Sequence, residues 1–208
     1  MSNKLENKVA SYAIIGFGKI GQSLAKAFAR KGISVSVATK HDPESIASAA
    51  AAIGPTIIPT TLAEALRADI IFLAVPFRSH PDVAMALPSW QGKIIVDVTN
   101  AYGVSSEELG GQPSACVIAQ AFNGGSVVKG FNHLGAAVLE QDPAVHGGRR
   151  VVFLTSDDDA AATEIGALAE NLGFSPINLG GLSVGGLLVQ AHGNSWGQLI
   201  FKDLFRFD

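Results

Sequence analysis

Apolar runs of strand length alternate with helical patterns along most of the chain. "YAIIGF", starting at Tyr12, reads as a strand, and "KIGQSLAKAFARKG" as a helix closed at Gly32, a residue type suited to a C-terminal cap. "ISVSVAT" is a second strand. "DPESIASAAAAIG" reads as a helix with Asp42 as N-cap and Pro43 at its first position. "PTIIPT" is a short third strand, and "TLAEALRAD" a short helix in which Thr61 and Glu64 have capping-box spacing. "DIIFLAVP" is apolar throughout, as a strand buried on both faces should be. "SHPDVAMALP" is helical and "KIIVDVTN" is a fifth strand. This repetition predicts a parallel sheet with helices on both sides.

The second half keeps the alternation but loosens it. "PSACVIAQAF" is helical, and "SVVKGFN" and "RRVVFLTSD" are two more strands. "DDAAATEIGALAENLG" is a helix ending at Gly173, with the acidic run Asp157 to Asp159 accounted for by N-capping and the helix dipole. "SPINLG" is a short strand, and "LSVGGLLVQAHGNSWGQLIFKDLF" a long glycine-dotted helix. "LGAAVLEQDPAVHGG" is the least regular segment. No linker, repeat or low-complexity tract marks a clean boundary.

The glycines sharpen the fold class. Gly16, Gly18 and Gly21 form G-x-G-x-x-G, weak alone in a chain with 23 glycines, but here closing a strand and opening a helix. In that context Gly16 permits the tight turn, Gly18 lets backbone approach a pyrophosphate, and Gly21 lets helix and strand pack closely. The expected contacts run through Gly16, Phe17, Gly18, Lys19, Ile20 and Gly21. The fold class is therefore α/β, a Rossmann-type, doubly wound, mainly parallel sheet with a small C-terminal helical extension. Residues 1–155 are assigned to the dinucleotide-binding domain, and 156–208 to a smaller α/β extension packed on it as one compact unit.

The end of the second strand discriminates between cofactors. An NAD site usually places Asp or Glu there, on the adenosine ribose. Here Thr39 offers a hydroxyl, and Lys40 and His41 offer groups suited to a 2′-phosphate. NADP(H) is predicted over NAD(H). Past the other strand ends, Val75, Pro76 and Phe77 are placed to wall the cofactor, and Thr99 and Asn100 to meet its ribose or carboxamide. Asn132 and His133 follow the sixth strand and are placed at the nicotinamide face. Each has a plainer alternative: Phe77 as core, Asn100 as a turn residue, His133 as a structural histidine. Arg78 and His80 read as a helix-start cluster.

Composition narrows the function classes. The chain has 208 residues, ample for a core, and is 48% apolar, which excludes general disorder. A formal net charge of −3 without a basic block argues against nucleic acid as partner. One cysteine, Cys116, fits a reducing compartment, and no apolar run reaches membrane-span length, so a soluble cytoplasmic protein is expected. No histidines, cysteines or carboxylates have metal-ligand spacing, and no metal is expected. There is no G-x-S-x-G elbow and no Walker lysine.

Four segments together, "GFGKIGQSLAKAF", "ADIIFLAVPF", "IIVDVTNAYG" and "VVKGFNHLGA", resemble the NADPH-dependent oxidoreductases that reduce, or are reduced by, the deazaflavin coenzyme F-420. Lys129, Phe131 and Asn132 and, upstream, Asp97, Thr99 and Asn100 carry the more specific part of the resemblance. The cytosolic domain of membrane ferric reductases is similar. The resemblance implies a Rossmann domain with a small helical extension, commonly dimeric, and a preference for NADP through the positions of Thr39 and Lys40. It departs in the C-terminal region, which is rich in glycine and poor in cations where a deazaflavin pocket is expected; Arg149 and Arg150 are the nearest basic candidates.

The expected reaction is hydride transfer between nicotinamide C4 and a deazaflavin or flavin-like small-molecule acceptor, in which position matters more than a dedicated acid. Asn132 and His133 are the candidate catalytic residues. Alternatives are another acceptor (a ferric chelate, carbonyl or imine) or a non-catalytic NADP-binding redox sensor. The C-terminal helix, with Leu182, Leu187, Leu188, Trp196, Leu199 and Ile200, is the expected homodimer element, and Gly185, Gly186, Gly193 and Gly197 allow close approach.

Overall fold

The structure, a computed structural model, describes residues 10–145 and 147–191. Four units of strand and helix and a fifth strand build its first half: β1 (Tyr12–Ile15), α1 (Lys19–Arg30), β2 (Val35–Ala38), α2 (Glu44–Ile53), β3 (Ile57–Pro59), α3 (Leu62–Ala65), β4 (Ile70–Leu73), α4 (His80–Ala84) and β5 (Ile94–Asp97). A 3₁₀ turn, Phe77–Ser79, leads into α4. The second half adds α5 (Ser114–Ala121), β6 (Ser126–Gly130), α6 (Ala136–Leu139), β7 (Ala144–Val145), β8 (Gly148–Arg149), β9 (Val151–Ser156), α7 (Asp159–Asn171), β10 (Ser175–Asn178) and α8 (Gly185–Val189).

Local chemistry explains several boundaries. Gly32 adopts φ +65 and closes α1 in a Schellman arrangement, its N–H bonding Ala29 O and that of Ile33 bonding Phe28 O. Thr61 and Glu64 form the reciprocal capping box of α3. Asp158 caps α7 by accepting from the N–H groups of Ala160 and Ala161. Asp42, by contrast, does not cap α2 with its carboxylate. Its backbone carbonyl accepts from the N–H and hydroxyl of Ser45, and Pro43 takes the cap position. Proline there presets a helical φ, so a side-chain cap is dispensable.

Eight strands form one sheet in the order β10-β9-β6-β5-β4-β1-β2-β3. All neighbours from β3 to β6 run parallel; β9 is antiparallel to β6, and β10 is parallel to β9. The antiparallel step is where the structure departs from a wholly parallel repeat. "RRVVFLTSD" is also split: Arg149 belongs to the small β7–β8 hairpin and the main strand starts at Val151.

The continuous apolar runs are explained by a core on each face. Along β4, Ile70 and Phe72 point to one side and Ile71 and Leu73 to the other. The first core is covered by α1, α2 and α7, and the second by α3, α4 and α5. Edge-to-face aromatic pairs run through the first core from Tyr12 to Phe28, Phe72, Phe131 and Phe174, with ring centroids 5.4, 5.5, 5.8 and 5.7 Å apart. The expected long C-terminal helix ends early. α8 stops at Val189, and Gln190 is extended with ψ 129. Glycine pairs weaken helix propensity, and the Gln190 side chain is engaged by the Ser114 N–H at 2.7 Å. Trp196, Leu199, Ile200, Gly193 and Gly197 lie outside the described residues.

Candidate functional site

The carboxyl ends of β1, β2, β4, β5 and β6 lie along one edge of the sheet, because these strands are mutually parallel. The strand order reverses between β1 and β4, and the crevice there is where such sheets take ligands. A cleft of about 410 Å³ opens at this point.

Its floor is the glycine turn. Gly16 has φ +99, and a Cβ on it would lie 2.4 Å from Ala74 O. A Cβ on Gly21 would lie 2.0 Å from Gly16 O. Both positions therefore need glycine for the turn itself. Gly18 differs: its φ is −75, and a Cβ there would meet nothing within 4 Å. The free space above Gly18 is part of the cleft, and a phosphate fits it by close backbone approach. α1 begins at Lys19 with no side-chain cap and no acidic residue in its first turn. Its first-turn N–H groups have no partner inside the helix and face an anion favourably. Ile15, Phe17 and Gly18 line the cleft; Lys19 is exposed and Ile20 half-buried at the helix start.

The end of β2 forms the cationic side. The Thr39 hydroxyl accepts from the His41 N–H at 3.1 Å, which folds residues 39–41 into a tight turn. The Lys40 and His41 side chains are exposed and line the cleft with Thr39. Opposite them stand Val75 and Pro76. Phe77 is turned the other way: it is buried in the second core, with its ring 4.8 Å from that of His80. Burial of the ring in the 3₁₀ turn before α4 accounts for that orientation. Arg78 joins this turn to the loop after β5, pairing with Glu108 at 2.8 Å and donating to Gly103 O at 3.1 Å.

Past β5 and β6 lies a hydrogen-bonded polar network. Asn100 donates to Asn132 O at 2.8 Å, and Asn132 donates back to Asn100 Oδ1 at 3.0 Å and to Val189 O at 2.8 Å. Beneath this pair, Lys129 and Asp97 are fully buried and 2.9 Å apart. Lys129 also donates to Thr99 O at 2.9 Å, and Asp97 accepts from the Thr99 N–H at 2.9 Å. The ion pair thereby fixes the Thr99–Asn100 turn from both its backbone groups. Phe131 sits at φ +61, an unusual conformation for a bulky residue, and its ring is locked between Phe72 and Phe174. This bend redirects the chain so that Asn132 meets Asn100.

His133 takes a different direction from Asn132. Its ring packs edge-on to Phe153 at 5.2 Å, with Nε2 3.4 Å from Val151 O. Among the described residues its buried Nδ1 has no hydrogen-bond partner. Burial lowers its pKa from 6.5 to about 4, offset only partly by the Val151 carbonyl. The imidazole is thus uncharged at neutral pH. Arg150 is buried and donates to Val138 O at 3.1 Å, and Arg149 stands exposed in β8. Neither lines the cleft.

Six cleft residues were missed in the sequence: Ile15, Leu62, Ala74, Ser79, Asp82 and Val83. Ile15 ends β1, Ala74 follows β4, and the others stand at or just before the starts of α3 and α4, so their position at or after strand ends was the available signal. Among the described residues, no group of three or more His, Cys, Asp or Glu is placed to hold a metal, and no helix is long and apolar enough to cross a membrane.

Comparison with known proteins agrees with this geometry. The family model described as "NADP oxidoreductase coenzyme F420-dependent" matches residues 11–101. A hypothetical protein from Sinorhizobium meliloti, solved by crystallography, is 35% identical, with a TM-score of 0.88 over 96% of this chain and 97% of that one. The metalloreductase STEAP3 of Rattus norvegicus is 31% identical over 174 residues, 82% of this chain and 34% of the relative. The chain thus spans about a third of the length of the curated relatives it matches. An imine reductase from Aspergillus terreus in complex with NADPH4 shares the fold, with a TM-score of 0.61 at 18% identity over 85% of this chain and 57% of that one. Residues 11–101 thus form a domain of the coenzyme F420-dependent NADP oxidoreductase family, and a 35%-identical chain matches this one almost end to end.

Proposed function

We propose that the chain transfers a hydride between NADP(H) and a deazaflavin or flavin-like acceptor. The observation that carries the reading is the cleft's electrostatics. Thr39, Lys40 and His41 end β2 with no carboxylate among them, beside the uncapped start of α1. A 2′-phosphate is attracted there, whereas an acid at that place would repel it. The open space above Gly18 suits the pyrophosphate. NADPH, when bound, supplies the hydride from nicotinamide C4.

The protein's part is placement. The first-turn N–H groups of α1 hold phosphate, Lys40 neutralises the ribose phosphate with the His41 ring as a hydrogen-bonding neighbour, and Val75 and Pro76 wall the bound dinucleotide. Thr99, Asn100 and Asn132 lie farther along the same sheet edge, where the nicotinamide end of an extended dinucleotide belongs. Their mutual hydrogen bonds hold two amides in fixed orientation, which favours hydride transfer by preorganisation. His133, uncharged and directed at β9, supports the floor of this region and does not act as a proton donor at neutral pH.

The nucleotide unit is residues 1–155, with 156–208 as an extension. The same reading takes the protein as cytoplasmic and as a homodimer joined through its C-terminal segment, for which light scattering at micromolar concentration is the check.

The decisive assay follows loss of nicotinamide absorbance with deazaflavin, free flavin, a ferric chelate, and carbonyl and imine panels. Turnover with a deazaflavin or flavin is expected. Turnover confined to the chelate, carbonyls or imines overturns the acceptor class. NADPH binding without turnover on any acceptor leaves a redox sensor.

A further inference from the structure

Asp82 is an acid in a cleft otherwise arranged for anions. It stands on the first turn of α4 and lines the nucleotide cleft with Ser79 and Val83. Among the described residues its carboxylate has no ion pair and no hydrogen bond, and in particular it does not pair with Lys40 or His41 across the cleft. A favourable interaction with the start of α4 tolerates an acid in that turn. It does not call for one on the rim of a dinucleotide site.

The surroundings of Asp82 indicate which part of the cofactor it meets. Leu62, Val75, Pro76 and Val83 make an apolar slot between α3 and the β4–α4 turn. A flat heteroaromatic base buries its faces in such a slot, while the cationic turn at residues 39–41 takes the ribose phosphate and Gly18 the pyrophosphate. A base in the slot presents its edge to Asp82, the chain neighbour of Val83. A carboxylate is acceptor-only at neutral pH. The ring nitrogens of adenine at that edge are also acceptors and would be repelled. Its 6-amino group is the one donor available.

We propose that Asp82 is a specificity-determining residue that reads the 6-amino group of the adenine base of NADP(H). This rests on the NADP(H) reading of the cleft and deepens it. The carboxylate missing from the end of β2 enters the site from α4 instead, displaced from the ribose to the base. Adenine is thereby selected without an acid beside the 2′-phosphate.

The test uses the full chain and fluorescence titration with three nucleotides: NADPH, NADH, and the NADPH analogue in which unsubstituted purine replaces adenine. The analogue lacks the amine and adds no donor or acceptor. For the natural protein the analogue should bind roughly 10-fold more weakly than NADPH, near the low end of the range for a hydrogen bond to a charged group. In Asp82→Ala this ratio should fall to about one. Asp82→Asn, which keeps an acceptor oxygen, should retain part of it. Equal affinities of the natural protein for NADPH and the analogue would overturn the proposal while leaving the NADP(H) reading intact. An Asp82→Ala variant that alters the NADPH-to-NADH ratio but not the analogue ratio would also overturn it, since the carboxylate then acts on the ribose phosphate. Failure of the natural protein to bind NADPH at all would remove the cleft reading, and the proposal with it.

Discussion

Gly18 and Gly21 belong to one motif, yet alanine at each should fail differently. A Cβ at Gly21 would sit 2.0 Å from Gly16 O, a backbone atom that cannot move without opening the turn. Gly21→Ala should therefore destabilise the fold by about 3 kcal/mol or more, in the range of severe overpacking. A Cβ at Gly18 would meet nothing within 4 Å, and φ −75 with ψ −165 is open to alanine. Restricting the unfolded chain should leave Gly18→Ala as stable as the parent or about 0.4–1 kcal/mol more so. Its methyl group, however, occupies the space into which a phosphate must descend to reach backbone N–H groups. Losing one or two charge-assisted hydrogen bonds corresponds to about 3 kcal/mol, or roughly a 100-fold weaker NADPH complex. Thermal unfolding of the unliganded variants, followed by titration with NADPH, separates the effects. A Gly18→Ala protein that binds NADPH within about threefold of the parent would refute the phosphate role of this turn.

Other consequences follow from the same geometry. Lys129→Met leaves Asp97 fully buried with Oδ2 unpaired, so stability should drop by about 3–5 kcal/mol; Asp97→Asn in the same chain should restore part of it, and chemical denaturation of the three variants measures the coupling. Lys40→Ala should raise the Michaelis constant for NADPH about tenfold and leave that for NADH nearly unchanged. His133 predicts a pH effect. Its folded pKa, about 4, lies below the ordinary 6.5, so unfolding takes up a proton between these values. Stability is unaffected above about pH 6.5 and falls as pH drops toward 4, by at most about 3 kcal/mol, and His133→Gln should flatten that slope in denaturation curves.

The nucleotide half was legible because its signals are local. The G-x-G-x-x-G spacing, the Gly32 terminator and the Thr61–Glu64 box each depend on residues a few positions apart. The direction of β9 was not, since nothing in "VVFLTS" distinguishes parallel from antiparallel pairing when both faces are buried. Asp42 looked like a side-chain cap, but the Pro43 φ already starts α2 and the carboxylate is left outside. The glycine-dotted segment after Leu182 carried helical spacing, yet contact between Gln190 and the start of α5 ends the helix. Long-range polar pairings were the least legible part of the site. Lys129 and Asp97, 32 positions apart, stood out through a resemblance alone, and Asp82 enters the cleft only because the turn after β4 and the end of β2 open on the same space.

The central claim is direct hydride transfer from NADPH to a ring acceptor placed by this protein. NADPH deuterated at the transferred position of C4 tests it most directly, with mass spectrometry of the acceptor after anaerobic turnover. The account predicts that the label is retained on C5 of a reduced deazaflavin, whereas a flavin takes it on N5 and exchanges it with solvent, and that NADH supports far less transfer. Label recovered only in solvent with a deazaflavin as acceptor, or equal transfer from NADH, would contradict it.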